Sequence, residues 1–247
     1  MLILGVDTST TTASVVLVED GKLLAEGVHK GSGKGPQSLG LQPRANHAET
    51  LLPLVENLMK ESDRSWDAIS AFAVAIGPGS FTGLRIGLST VKGLAYGWEV
   101  PVIGIPTLLA VAARVTNWNG LICPLLDARK KEVYTAVFNL KDEQVPERLT
   151  DDLVCAPEWI LKQIRSLKAN SCLMIGDGAE VYRDLIKESF GAEATITQGD
   201  SYPSVAFAVA QLAARRVAKA DFDAPDDLLP VYLRPSEAEL KWGVRKD

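Results

Sequence analysis

Only two imidazoles are available for chemistry in this chain, His29 and His47. His47 stands at a predicted helix start, Asn46-His47-Ala48-Glu49, yet four residues on, where a second metal ligand would share its face, the chain has Leu51. A lone histidine at a helix start serves more often as a cap or contact residue than as a ligand. Cys123, Cys155 and Cys172 are far apart and form no C-x-x-C pair, so neither a zinc knuckle nor a disulfide framework is indicated. Each lies in or beside an apolar stretch, as a small core residue of a reducing compartment would. No metal and no cofactor is expected. Serine chemistry has one candidate, Ser80 in Gly77-Pro78-Gly79-Ser80-Phe81-Thr82-Gly83. Its neighbours two positions away are Pro78 and Thr82, where a nucleophile elbow carries glycines. The loop does not end in Gly-Lys-Ser/Thr, so it is no Walker-type phosphate loop. It does enter a predicted helix, whose free N–H groups can hold an anion. A tight strand-to-helix turn that uses glycine for close packing is the competing reading. Asp7 and Asp127 complete the inventory, each closing an apolar run.

The elements that must position these residues alternate in a repeating order. Leu2 to Val6 is an apolar run, Ser14 to Val18 is β-branched, and Lys22 to Val28 returns after Asp20-Gly21, a two-residue hairpin signal. Lys30 to Pro43 is rich in Gly, Ser and Pro and reads as a loop. Asn46 with Glu49 forms a capping box for a helix carrying Leu51, Leu54 and Leu58, in which Pro53 predicts a kink or a late start. Ser70 to Ile76 is a buried strand, Thr82 to about Gly97 a helix, Val100 to Ile105 a strand, and Thr107 caps a helix over 108–115. The order then recurs: a strand over 121–126 ending at Asp127, a turn at 128–131, and a strand over 132–138. A helix over 158–167, a strand over 172–175, a helix to Phe190, a strand over 194–197 and a long helix over 204–219 follow.

Strands ending in an Asp-bearing turn, followed by alternating helices and strands, occur in both halves. That predicts an α/β fold of two ribonuclease-H-like lobes, as in actin and hexokinase, with a cleft between them. The lobes fall at 1–106 and 107–247, with the last helix and tail expected to pack back on the first. A single doubly wound sheet is the rival topology. In the duplicated fold Asp7 and Asp127 face each other across the cleft, where kinases hold magnesium and phosphates. Neither turn, Asp7-Thr8-Ser9-Thr10-Thr11 or Asp127-Ala128-Arg129-Lys130-Lys131, has the glycines that wrap a phosphate. A small-molecule kinase or ATPase is therefore the second choice, with Asp7, Ser9, Gly77, Gly79, Ser80 and Asp127 as its cleft residues. No catalytic residue is assigned.

Composition narrows the class further. With 47% hydrophobic and 23% charged residues the chain can bury a core, which excludes disorder. No apolar run approaches the roughly 20 residues of a membrane helix. Met1 to Asp7 reads as a first strand and not as a secretory signal, so a cytoplasmic location is expected. A net charge of −5 argues against gripping RNA unaided, since that takes a basic face.

Several stretches resemble the TsaB (YeaZ) family of bacterial proteins. They are Gly5-Val6-Asp7-Thr8-Ser9, Asn46-His47-Ala48-Glu49, the glycine loop running on through Leu84-Arg85-Ile86-Gly87, and Leu126-Asp127-Ala128-Arg129 with Glu132-Val133-Tyr134. Gly176-Asp177-Gly178-Ala179 and Pro230-Val231-Tyr232-Leu233-Arg234 complete the set, in family order across nearly the whole chain. The resemblance implies the duplicated actin-like fold and a part in making threonylcarbamoyladenosine in tRNA. A metal-bearing paralogue, TsaD, there transfers the threonylcarbamoyl group, and TsaB-like proteins support it together with the ATPase TsaE. It implies no catalysis by this chain, contact with tRNA only through the complex, and a homodimer when TsaD is absent. The older label of peptidase finds no support in these residues.

The predicted helix from Thr82 holds Gly83, Gly87, Gly93 and Gly97. Its two interior glycines, Gly87 and Gly93, together cost about 2 kcal/mol relative to alanine, which points to close packing that a Cβ would block. One face rests on the home sheet, and Arg85, Ser89 and Lys92 lie on another. The resemblance makes this helix and the one after Asn46 the partner-binding pair, with His47, Leu51, Leu54, Leu58, Arg85, Ser89 and Lys92 as contact residues.

Overall fold

The computed structural model describes residues 1–30, 47–140, 145–167, 171–197 and 201–235. The capping residue Asn46 and nearly all of the Lys30 to Pro43 stretch lie outside them.

Three strands open the chain: β1 (Leu2–Asp7), β2 (Thr12–Glu19) and β3 (Lys22–Lys30). The hairpin forms as the Asp20-Gly21 pair requires, with φ of 49° and 80° at its two corner residues. Helix α1 (His47–Glu61) follows, then β4 (Ile69–Gly77), α2 (Phe81–Trp98), β5 (Val102–Pro106) and α3 (Thr107–Ala113). The sheet order is β3-β2-β1-β4-β5, antiparallel through β1 and parallel beyond it.

The second half repeats that plan with β6 (Leu121–Asp127), β7 (Val133–Thr135), β8 (Phe138–Asn139), β9 (Glu147–Arg148), β10 (Leu153–Cys155), α4 (Pro157–Ser166), β11 (Cys172–Ile175), α5 (Asp177–Val181), α6 (Arg183–Phe190), β12 (Ala194–Thr197) and α7 (Val205–Val217). Its order is β10-β7-β6-β11-β12, so β6 stands where β1 does, antiparallel to β7 and parallel to β11. This is the duplicated, two-lobed α/β fold of the actin-like class.

Several local expectations are corrected. The single strand expected over 132–138 is two, β7 and β8, which pair with opposite ends of β6 in one continuous register. The gap lies opposite Pro124, whose nitrogen has no hydrogen to donate to a ladder. The helix expected to run to Phe190 breaks at Tyr182, which has φ −107° and ψ 23°. Helix α1 runs through Pro53 from His47, so it does not start late. Thr107 does not cap α3 but sits inside it, and its hydroxyl accepts the Gly77 N–H at 3.0 Å.

Each sheet has two apolar faces. One face of the first sheet packs α1 and α2 through Leu51, Val55, Leu58, Leu88 and Val91, and one face of the second packs α4 and α6 through Ile160, Ile164 and Ile186. The other two faces meet α3 and α7. Ala206, Val209, Ala210 and Ala213 of α7 cover the first sheet, while Leu108, Val111 and Ala112 of α3 cover the second. Close approach of α7 depends on Gly5, where a Cβ would stand 2.7 Å from the Ala206 carbonyl.

Candidate functional site

The turns after β1 and β6 are built alike. Asp7 Oδ1 accepts the Ser9 N–H at 3.0 Å, and Asp127 Oδ1 accepts the Arg129 N–H at 2.9 Å. Each aspartate thus folds its own turn by bonding the backbone two residues on. Asp7 is 2% exposed, and burial pushes its carboxyl above the ordinary range against the opposing pull of Ser9, Arg114 and His47. The second turn differs in charge and strain: Arg129, Lys130 and Lys131 all have positive φ, and Arg129 pairs with Asp127 at 2.9 Å. Asp177, which lines the cleft, accepts the Asp127 N–H at 3.0 Å, and desolvation, with the nearby Asp127 charge adding to it, raises its pKa.

Between these turns lies a cavity of about 880 Å³ lined by Ser9, His47, Gly79, Ser80, Asp127 and the tail residues Val231 to Pro235, among others. The expectation that Asp7 and Asp127 face each other across this cleft is corrected: Asp127 lines it, whereas Asp7 lies beneath Ser9 and lines none of it. His47 belongs to the cleft as well, its Nε2 3.0 Å from the Thr10 carbonyl and its Nδ1 buried without a protein partner among the described residues. Among those residues no three His, Cys, Asp or Glu side chains converge as a metal site would need.

The glycine loop shows why glycine is required where it occurs. A Cβ on Gly77, at φ 119°, would stand 2.6 Å from the Val231 carbonyl, and one on Gly79 would stand 2.9 Å from Ser9 Cβ. Ser80 is the N-cap of α2, its hydroxyl accepting the Gly83 N–H at 3.2 Å while its own N–H donates to the Ser9 carbonyl at 2.7 Å. The helix therefore starts one residue before Thr82. These groups hold the loop against the first turn and the tail, so the packing reading of Gly77 and Gly79 prevails over the phosphate cradle.

Along α2 the four glycines divide in pairs. Cβ atoms on Gly83 and Gly87 would collide with the carbonyl and hydroxyl of Thr8, so these two let the helix lie on the first turn. Gly93 and Gly97 have nothing within 4 Å of a Cβ position. Of the two interior glycines expected to permit close packing, Gly87 does so within the chain, whereas Gly93 faces outward, near Tyr96, which is 88% exposed. Ser89 is exposed on the same helix, its hydroxyl donating to the Arg85 carbonyl of the preceding turn.

Other contact residues read from the sequence are engaged inside the molecule. Leu51 and Leu58, 1% and 2% exposed, are core residues and unavailable to a partner, because the apolar row of α1 is what fixes it to the sheet. Leu54 is half-buried against Gly27 of β3. The Lys92 ammonium reaches the Leu228 carbonyl at 3.3 Å, and the Arg85 guanidinium lies over the Phe81 ring and donates to the Tyr232 hydroxyl at 2.8 Å. Sequence reasoning missed Leu52 and Tyr96 among the exposed apolar residues of α1 and α2. Their apolar side chains at positions off the i, i+4, i+7 buried rows were the signal that could have found them.

Comparison with known proteins agrees with this geometry. A family model described as TsaD, tRNA N6-adenosine threonylcarbamoyltransferase, matches residues 23–242. The tRNA threonylcarbamoyladenosine biosynthesis protein TsaB of Bacillus subtilis is 29% identical, with 98% of each chain covered. Its Escherichia coli namesake is 32% identical at the same coverage. YeaZ from Pseudomonas aeruginosa superposes with a TM-score of 0.74 at 27% identity, covering 94% of this chain and 99% of that one. On a match of this extent to both sequences and structure, the chain belongs to the TsaB family, within the wider TsaD-like family.

Proposed function

We propose that this chain is a non-catalytic partner subunit in threonylcarbamoyladenosine formation. In that reaction a TsaD-like chain moves the threonylcarbamoyl group from its adenylate to the adenosine 3′ of the anticodon in tRNAs reading A-starting codons. The observation that carries the proposal is the outer face of α2. A glycine inside a helix costs about 1 kcal/mol relative to alanine, and Gly93 returns none of it through packing in its own chain. A surface of Ser89, Gly93 and Gly97 beside the projecting ring of Tyr96 suits close approach of a second helix, and α1 offers the exposed Leu52 as a further apolar contact.

The rest of the reading follows from this role. The chain works in the cytoplasm, meets tRNA through the assembly, cooperates with a TsaE-like ATPase, and pairs with itself through the same face when alone. The lobes divide at 106/107. The cleft supports no kinase reading, since Gly77 and Gly79 are committed to packing and Asp7 to its turn. No helix of the described residues is long and apolar enough to cross a membrane.

The test is co-purification with the TsaD homologue of the same cell, followed by tRNA modification with and without this chain. Stable association and loss of modification on omission are expected. Full modification without the chain would refute the proposal.

A further inference from the structure

The family-like motif Pro230-Val231-Tyr232-Leu233-Arg234 has no part in docking as described above, and its placement gives it another. After α7 the chain returns to the first lobe. The Asp223 N–H bonds the Val102 carbonyl at 3.1 Å, its carboxylate accepts the Gly104 N–H at 2.7 Å, and Leu228 enters the first core. The Val231 N–H then donates to the Ile76 carbonyl at 2.7 Å, against Gly77. The Tyr232 ring stacks on Phe81 with centroids 4.7 Å apart, and its hydroxyl is held by Arg85. Two residues later the chain grips the other lobe. Arg234 Nη2 donates to the Ala128 carbonyl at 2.9 Å and pairs with Glu132 at 2.7 Å, both on the turn that leaves β6. Val231 to Pro235 line the cleft throughout.

The spacing sets a limit on movement. Three residue steps separate Val231 from Arg234, and fully extended they reach only about 11 Å. With both ends held, the mouth of the cleft cannot widen far. We propose that Val231–Arg234 is a latch that keeps the two lobes together across the cleft, and that Arg234 is its release point. The first-lobe end combines a backbone bond, a ring stack and an arginine over the ring. The second-lobe end rests on one guanidinium, and its carboxylate partner Glu132 has a side chain 38% exposed. With the Arg234 side chain 19% exposed beside it, the pair is partly screened by salt, whereas the stacked end is not. Opening therefore begins at Arg234, with Tyr232 staying on Phe81. This inference does not depend on the partner assignment.

The experiment measures a distance across the cleft in the full-length chain. Spin labels go on Lys60→Cys of α1 and Lys187→Cys of α6, both exposed positions, in a Cys155→Ser background. In the otherwise unaltered chain a narrow distribution is expected at low salt, widening at high salt as screening weakens the Arg234–Glu132 pair. Arg234→Ala and Glu132→Gln should each widen it about twofold at low salt already, as release of a hinge restraint does, and Arg234→Lys should recover part of the effect. Glu132→Gln keeps the test intact should Arg234→Ala impair folding. A narrow distribution in the folded Glu132→Gln and Arg234→Ala chains, unmoved by salt, would overturn the latch.

Discussion

Replacing Ser89 with glutamate separates a docking face from an internal one, and the structure allows the size of both effects to be worked out. Ser89 is exposed on α2, one turn before Gly93, whose Cβ position is empty to 4 Å. In the lone chain, Ser89→Glu removes one bond, from the serine hydroxyl to the Arg85 carbonyl within the same helix. Such a back-bond contributes little to a helix, and glutamate has the better helix propensity, so the two changes roughly offset. The expected loss of stability is below about 0.5 kcal/mol, which moves the melting temperature by about 1–2 °C in a chain of this size.

Against a partner helix the outcome differs. An interface of ordinary size, on the order of 1,600 Å² in total, depends on a few central contacts, and a charge buried there without a counter-ion costs about 2 kcal/mol or more. Association should weaken about 30-fold on the scale where 1.4 kcal/mol is a factor of ten. Titration against the TsaD-like chain and a thermal melt of the lone chain are the two measurements. Unfolding of the lone chain would mean the face is internal, and no change in either would place docking elsewhere.

The remaining expectations are briefer. Gly87→Ala should destabilise the lone chain by about 1–3 kcal/mol, because the new methyl meets the Thr8 hydroxyl. Gly93→Ala should stabilise it by about 0.5–1 kcal/mol, and equal urea-melt shifts for the two would refute the division of the glycines. Asp7→Asn keeps an acceptor for the Ser9 N–H while removing the ionisation that burial opposes. Because the folded pKa lies above 3.8, the unfolded chain ionises first as pH rises and stability falls through that window. The variant should thus be at least as stable as the parent at neutral pH, with the difference closing as pH falls toward 3.8; lower stability at neutral pH would refute this. Asp7→Asn and Asp127→Ala should leave tRNA modification by the assembly largely intact, against which a loss of several hundredfold would count. Elemental analysis should find no stoichiometric metal on the isolated protein. Its tRNA affinity alone should be non-specific, about 10⁻⁴ M or weaker at physiological salt.

What could be read from the sequence was local and periodic. The Asp20-Gly21 hairpin, the apolar run into Asp7, and its echo into Asp127 each carry their conformation in adjacent residues, and together they disclosed the duplication. The break between β7 and β8 was legible in principle, but only with the register known, since Pro124 stands opposite Ala136, twelve residues away in sequence. The fates of Arg85 and Lys92 were not legible. Both occupy polar positions of an amphipathic helix, which ordinarily means solvent, yet each is taken by the tail, at Tyr232 and at the Leu228 carbonyl. No spacing rule reaches over so long a separation. Leu51 and Leu58 erred in the opposite direction: an apolar row shows that a helix buries a face, without saying whether sheet or partner receives it.

The same long-range logic explains how the two halves are joined. Between the sheets lie α3 and α7, in an exchange by which α7 of the second half covers the first sheet while α3, at the junction of the halves, packs against both. That exchange rests on small residues, Gly5 on β1 and the alanines of α7, which let a helix settle near van der Waals contact without bulky interlocking. A joint of this kind resists pulling apart, because separation would expose apolar area on both sheets at about 25 cal/mol per Å². It resists tilting less, since small side chains offer few ridges to lock. The joint therefore fixes one side of the cleft and leaves the mouth to be governed by something else. At the mouth, the tail crosses from one lobe to the other, from the Tyr232–Phe81 stack to the Arg234–Glu132 pair. A firm joint on one side with a short tether at the other is the arrangement in which a single ion pair controls an opening.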